Sequence, residues 1–151
     1  MVALSQELKN SQVLLAIAPQ DKMDIACEKL EKEAGKNSWW VVEPSSGGNG
    51  QKIVARKIGG KEKQEFLAGG GQAEMAVARI LLEKQPDLIL LSDVGRLVPK
   101  NGLAITRFVH YLSSRLRTQD KKAVLAFSAE DLDEDLLKDV ALFCDKTIRL
   151  E

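Results

Sequence analysis

The sequence has few of the residues that usually announce chemistry. It holds one histidine, two cysteines and four prolines, and aromatic residues make up 5% of it. A catalytic base needs a positioned partner, and none is visible around His110, which sits beside Tyr111 and three positions from Arg107. Cys27 and Cys144 lie far apart and match no metal-ligand spacing, so two reduced thiols of a cytosolic protein are expected. Neither sign of charge dominates: 22 basic residues balance 22 acidic ones, for a formal net charge of zero. That balance argues against non-specific nucleic-acid binding, which needs clustered positive charge. A local basic patch stays open around Arg107, Arg115, Arg117, Lys121 and Lys122, although a solvated helix end explains those residues equally well. No apolar run approaches the roughly 18 residues needed to span a bilayer. Residues 1–10 show no basic-then-apolar signal pattern, so a cytoplasmic location is expected.

What the chain does have is a set of short, unbroken apolar runs. At 151 residues it is long enough for one domain with a proper core. Pro86-Asp87-Leu88-Ile89-Leu90-Leu91-Ser92-Asp93 is the run around which the rest is organised. Four apolar residues without interruption read as a strand covered on both faces. Val13-Leu14-Leu15-Ala16-Ile17-Ala18 and Ala123-Val124-Leu125-Ala126-Phe127 read the same way, and Trp39-Trp40-Val41-Val42 favours extended chain. Neighbouring strand residues face opposite sides, so at least one of the two tryptophans belongs to the core.

Helical patterns separate these runs. Asp21 is placed as an N-cap for a helix with Met23, Ile25, Ala26, Leu30 and Ala34 on its apolar stripe and Gly35 as its C-cap. A second helix over 72–84 carries Met75, Ala78, Leu81 and Leu82 with Val77 and Ile80 beside them. Others are expected over 103–116 and 131–143, with a short lead-in over 2–10. Residues 147–150 alternate and suit an edge strand. Residues 52–58 and 63–67 suggest a solvent-facing hairpin. Strands alternating with helices give an α/β fold: three layers, with a mostly parallel sheet flanked by helices.

The carboxyl ends of such strands are where ligands bind. Ser92, Asp93 and Ser128 fall there. Asp93 is a candidate magnesium ligand or phosphoacceptor; a solvated or capping aspartate is the plain alternative. For Ser92 and Ser128 the plain alternative is local hydrogen bonding to loop backbone. Gly69, Gly70 and Gly71 precede a helix and are candidates for holding an anion through free N–H groups. No Lys-Ser/Thr follows them, and glycine also serves as a permissive turn. The same holds for Gly47, Gly48 and Gly50 with Lys52.

Residues 72–151 resemble the carboxyl half of RecA-fold ATPases of the KaiC type. The likeness rests on the strand ending in Ser92-Asp93, the strand ending in Ser128, and Asp133-Glu134-Asp135-Leu136-Leu137 followed by Cys144-Asp145 and the last strand. Within that group the chain is similar to the archaellum ATPase FlaH and to a small archaeal domain of unknown function. The resemblance implies a RecA-like P-loop core. The P-loop itself, Gly-x-x-x-x-Gly-Lys-Ser/Thr after the first strand, is replaced by Pro19-Gln20-Asp21-Lys22-Met23-Asp24. Ser92 aligns with the Walker B acid, and Asp93 falls one residue later. The expectation is a pseudo-ATPase without a cofactor, binding a protein partner or further copies of itself. Two alternatives stand beside it. One is a nucleotide- or phosphate-binding enzyme that uses a non-Walker glycine loop, with ATP and magnesium as ligands. The other is a receiver-like signalling domain with Asp93 as phosphoacceptor; its first strand ends in Ala16-Ile17-Ala18-Pro19, without the acids that would hold magnesium.

Overall fold

The computed structural model describes residues 4–34, 38–45, 52–67, 72–99 and 101–150. In chain order the elements are α1 (Leu4–Glu7), β1 (Val13–Ala18), α2 (Met23–Ala34), β2 (Trp39–Ser45), β3 (Lys52–Lys57), β4 (Lys63–Leu67), α3 (Gln72–Glu83), β5 (Leu88–Leu91), α4 (Gly102–Gln119), β6 (Lys122–Ser128), α5 (Glu134–Ala141) and β7 (Lys146–Arg149). The strands form one sheet in the order β4-β3-β2-β5-β6-β1-β7.

The unbroken apolar runs are the buried middle of this sheet. Every residue of β1 and β5 is buried. Both pair in parallel with β6, Val13 opposite Ala123 and Leu88 opposite Lys122. Alternation along the strands feeds two cores. Leu15, Ile17, Trp40, Val42, Ile89, Leu91, Leu125 and Phe127 face α3, α4 and α5. Leu14, Ala16, Trp39, Val41, Leu88, Leu90, Val124 and Ala126 face α1 and α2. The two tryptophans therefore both serve as core, one on each face.

The sheet is mixed, which corrects the expectation of a mostly parallel one. Residues 52–57 and 63–67 do form the expected antiparallel hairpin, but one face of it is core rather than solvent. They join the edge of β2 as two antiparallel strands. Ile53 and Ala55 are buried, so β3 alternates because one of its faces is core.

Two helices sit differently from their sequence patterns. A 3-10 turn over Gln20–Lys22, capped by Pro19 without a side-chain bond, precedes α2, so Asp21 is not its N-cap. In α3 the buried set is Ala73, Ala76, Val77, Ile80 and Leu81. Met75 and Leu82 stand out at 62% and 72% exposure. The small residues fit closest to the sheet, which turns the larger side chains outward. By contrast α4 buries the expected Ile105, Phe108, Val109, Leu112 and Leu116. Its N-cap is Asn101, whose side chain accepts from the Ala104 amide at 2.7 Å. The last helix begins later than its acidic run, with Asp133 capping the Leu136 amide at 2.8 Å. The final strand is an edge strand, as its alternation implies.

Candidate functional site

The carboxyl edge of the sheet holds two separate constellations. The first lies past β2 and β5. Here the chain leaves β5 at Ser92 and Asp93 and turns at once. Asp93 adopts a left-handed backbone (φ 56°) and is 5% exposed. Aspartate tolerates that conformation better than most residues. One carboxylate oxygen lies 3.7 Å from the Arg96 guanidinium, one helical turn further on. A side chain at Gly95, also buried, would meet the Asp131 side chain from the loop after β6, whose carboxylate would have to move aside.

Ser92 and Asp93 line a cavity of about 370 Å³ with Met23 and Asp24 of α2, Glu43, Pro44 and Ser45 of β2, Val54 of β3, and Arg96. Three of these side chains are acids and one is basic. Glu43 is answered by Arg56, which takes its two oxygens at 2.7 and 3.1 Å. The same guanidinium reaches Glu31 of α2 at 2.5 Å. Hydrogen bonds from Glu31 and then Glu43 push the Arg56 pKa further up. The bridge ties α2 to the sheet beside the cavity.

Ser92 also has a partner: its hydroxyl donates to the Cys27 sulfur at 3.1 Å. Burial pushes the Cys27 thiol up, the Ser92 bond opposes this, and Asp93, Glu31 and Asp24 reinforce it. Cys27 is therefore held as a thiol, a poor nucleophile and a poor metal ligand. Both cysteines are free. Among the described residues, no group of His, Cys, Asp and Glu is placed to hold a metal ion.

The second constellation joins the ends of β1 and β6. Ser128 is opposite Ala18. Its hydroxyl donates to the Glu130 carboxylate at 2.6 Å. The same carboxylate oxygen accepts the backbone N–H of Gln20 at 2.9 Å. Those contacts, led by Ser128 and joined by the Glu130 amide itself, lower the Glu130 pKa. An amide at the turn after β1 is thus already engaged by a carboxylate of the chain. Sequence reasoning missed Glu130 because the contact joins loops 110 residues apart.

The structure therefore brings Ser92 and Asp93 together in one cavity and sets Ser128 apart, against Glu130 and Gln20. Gly69, Gly70 and Gly71 lie outside the described residues, as do Gly47, Gly48 and Gly50. His110 is exposed on α4 and stacks on Phe143, ring centroids 4.7 Å apart. The basic patch is partly spoken for: Arg117 pairs with Asp145 at 3.0 Å, Arg115 bonds Tyr111, and Lys122 bonds the Leu8 carbonyl. Among the described residues, no helix is long and apolar enough to cross a membrane. Compared with known proteins, the chain matches no family model, no curated protein and no solved structure.

Proposed function

We propose that this chain is a non-catalytic binding or regulatory module, a pseudo-ATPase on a degenerate RecA/KaiC-like core. The observation that carries the reading is the Glu130 carboxylate on the Gln20 amide. A phosphate-binding turn offers its backbone N–H groups to an anion. Here the turn after β1 offers one to an internal carboxylate. Asp21 and Asp24 add negative charge to the same turn. A triphosphate arriving there would displace a hydrogen-bonded carboxylate and meet two further acids.

The topology supports the same reading. The helix after β1 covers one face of the sheet, while the helix after its neighbour β6 covers the other. That divergence makes a crevice at the strand ends, the usual ligand position in open α/β sheets. In this chain the side chains of the crevice close on each other.

The binding function falls to the neighbouring cavity at Asp24, Glu43, Ser92 and Asp93. With Glu43 held by Arg56 and Asp93 facing Arg96, the lining that includes Asp24 has no excess positive charge, so it suits a basic side chain of a protein partner better than a phosphate. Isothermal titration with ATP and magnesium tests the proposal. No heat of binding at millimolar nucleotide is expected. Tight binding with turnover would reject the pseudo-enzyme.

A further inference from the structure

We infer that two copies of this chain pair through the exposed edge of β4, strand to antiparallel strand, about a two-fold axis at Gln64. This surface lies at the opposite end of the sheet order from the Glu130 contact, and the inference stands independently of the pseudo-ATPase reading.

β4 is the outer strand of the sheet. Its inner partner is β3, with Ala55 opposite Gln64 and Ile53 opposite Phe66. The Lys57 amide donates to the Glu62 carbonyl at 3.0 Å, so residue 62 turns its backbone inward to β3. Alternation then turns the backbone of Gln64 and Phe66 inward too, and that of Lys63 and Glu65 outward. An added strand must bond to Lys63 and Glu65.

Charge then selects the register. Three antiparallel self-pairings use these outward groups within the strand. Centring on residue 63 sets Lys63 against Lys63 at the axis, with Lys61 from beyond the strand opposite Glu65, and centring on residue 65 sets Glu65 against Glu65. Centring on Gln64 sets each Lys63 against the other copy's Glu65, twice, with no like pair opposed. Opposite charges across a strand pair are favourable and like charges unfavourable. Lys63 makes no ion pair among the described residues, and Glu65 meets Lys52 only at 3.7 Å with both side chains about half exposed. Both ends of the intermolecular pairs are therefore accessible.

The adjoining surface has the character of an interface. Gln64 and Phe66 lie on the α3 side of the sheet, where the Gln64 amide reaches Glu83. Between β4 and α3 runs a groove of about 440 Å³, lined by Phe66, Gln72, Met75, Ala78 and Arg79. Met75, Arg79 and Leu82 share one exposed stripe of α3. A two-fold axis perpendicular to the sheet at Gln64 brings the two α3 helices to the same side of a continuous sheet. Each stripe then faces the other, which covers apolar side chains that a lone copy leaves in water. An exposed sheet edge is in any case a template for another chain, and an isologous pairing consumes both edges at once.

Sedimentation velocity across a micromolar concentration series tests the proposal, with Lys63→Glu, Glu65→Lys and the double exchange. A dimer is expected for the unaltered chain. Each single exchange turns two attractive pairs repulsive and weakens the dimer about tenfold or more, while the double exchange restores it. Gln64→Cys gives a register test independent of affinity. A two-fold at Gln64 sets the two Cα atoms roughly 4.5 Å apart, within disulfide range, so mild oxidation yields a covalent dimer. A chain that stays monomeric to millimolar concentration overturns the proposal. So does a dimer that ignores the single exchanges and is not trapped by Gln64→Cys.

Discussion

The Glu130 carboxylate accepts the Gln20 backbone N–H at 2.9 Å and the Ser128 hydroxyl at 2.6 Å. One side chain thereby joins the turns after two adjacent parallel strands, at the carboxyl edge of the sheet. The contact makes a direct prediction. The Glu130 carboxyl titrates below the ordinary glutamate range because Ser128, its own amide and Gln20 favour its charged form. Removing the hydroxyl with Ser128→Ala moves that midpoint upward, toward the ordinary glutamate range. Carbon-detected NMR titration of the side-chain carboxyl reads the shift.

Asp145 clasps the start of β1. One oxygen accepts the amides of Gln12 and Val13 at 2.7 and 3.0 Å, and the other meets Arg117 at 3.0 Å. Burial opposes its ionisation, but the Val13 and Gln12 amides and Arg117 outweigh that and hold its pKa below the ordinary value. The sign follows. A folded value below the unfolded one gives stability that is complete above about pH 5 and is lost as pH falls through the folded value. Asp145→Ala removes that acid-sensitive part. It costs about 1 kcal/mol at neutral pH, the low end for bonds to a charged group, because the site is partly open to solvent. Urea melts at neutral and acid pH check both the loss and its narrowing in acid.

Both thiols are expected to be inert in the folded protein. Burial pushes Cys144 up to about 12, with Asp145 adding to the effect and Arg117 opposing it. Cys27 moves the same way through burial, although its Ser92 bond pulls against it. Ellman's reagent at pH 8 is predicted to label neither on the timescale of an exposed thiol. In denaturant it labels two.

Arg56 neutralises two acids that would otherwise face each other between α2 and the sheet. Arg56→Ala leaves Glu31 and Glu43 without their shared guanidinium. The predicted loss is about 1–3 kcal/mol, as for a hydrogen-bonded charged pair that keeps some solvent contact. Arg56→Ala/Glu43→Gln/Glu31→Gln recovers part of it, since no uncompensated acid remains. Thermal melts of the two variants measure the difference.

Much of the fold was legible in the sequence. Uninterrupted runs such as Leu88-Ile89-Leu90-Leu91 can only be strands hidden on both faces, and they are. That rule also put Ser92 and Asp93 at the carboxyl end of the strand, where the structure opens a cavity. The mixed sheet was harder to see. Nothing local in Lys52-Ile53-Val54-Ala55 says whether its apolar face lies on a core or on water; pairing with β2 decides it. The face of α3 was misjudged because Met75 and Leu82 are more apolar than Ala73 and Ala76, yet the smaller residues allow closer approach to the sheet. Glu130 was invisible for another reason. An acid in a loop looks solvated until its distant partner, Gln20, is brought beside it.

The central proposal is that the turn after β1 does not receive a nucleotide. The most direct measurement follows the Gln20 amide in two-dimensional 1H–15N NMR spectra while ATP and magnesium are added to the intact chain. This resonance is expected to stay in place to millimolar nucleotide. A saturable shift of the Gln20 amide, accompanied by release of phosphate, would contradict it.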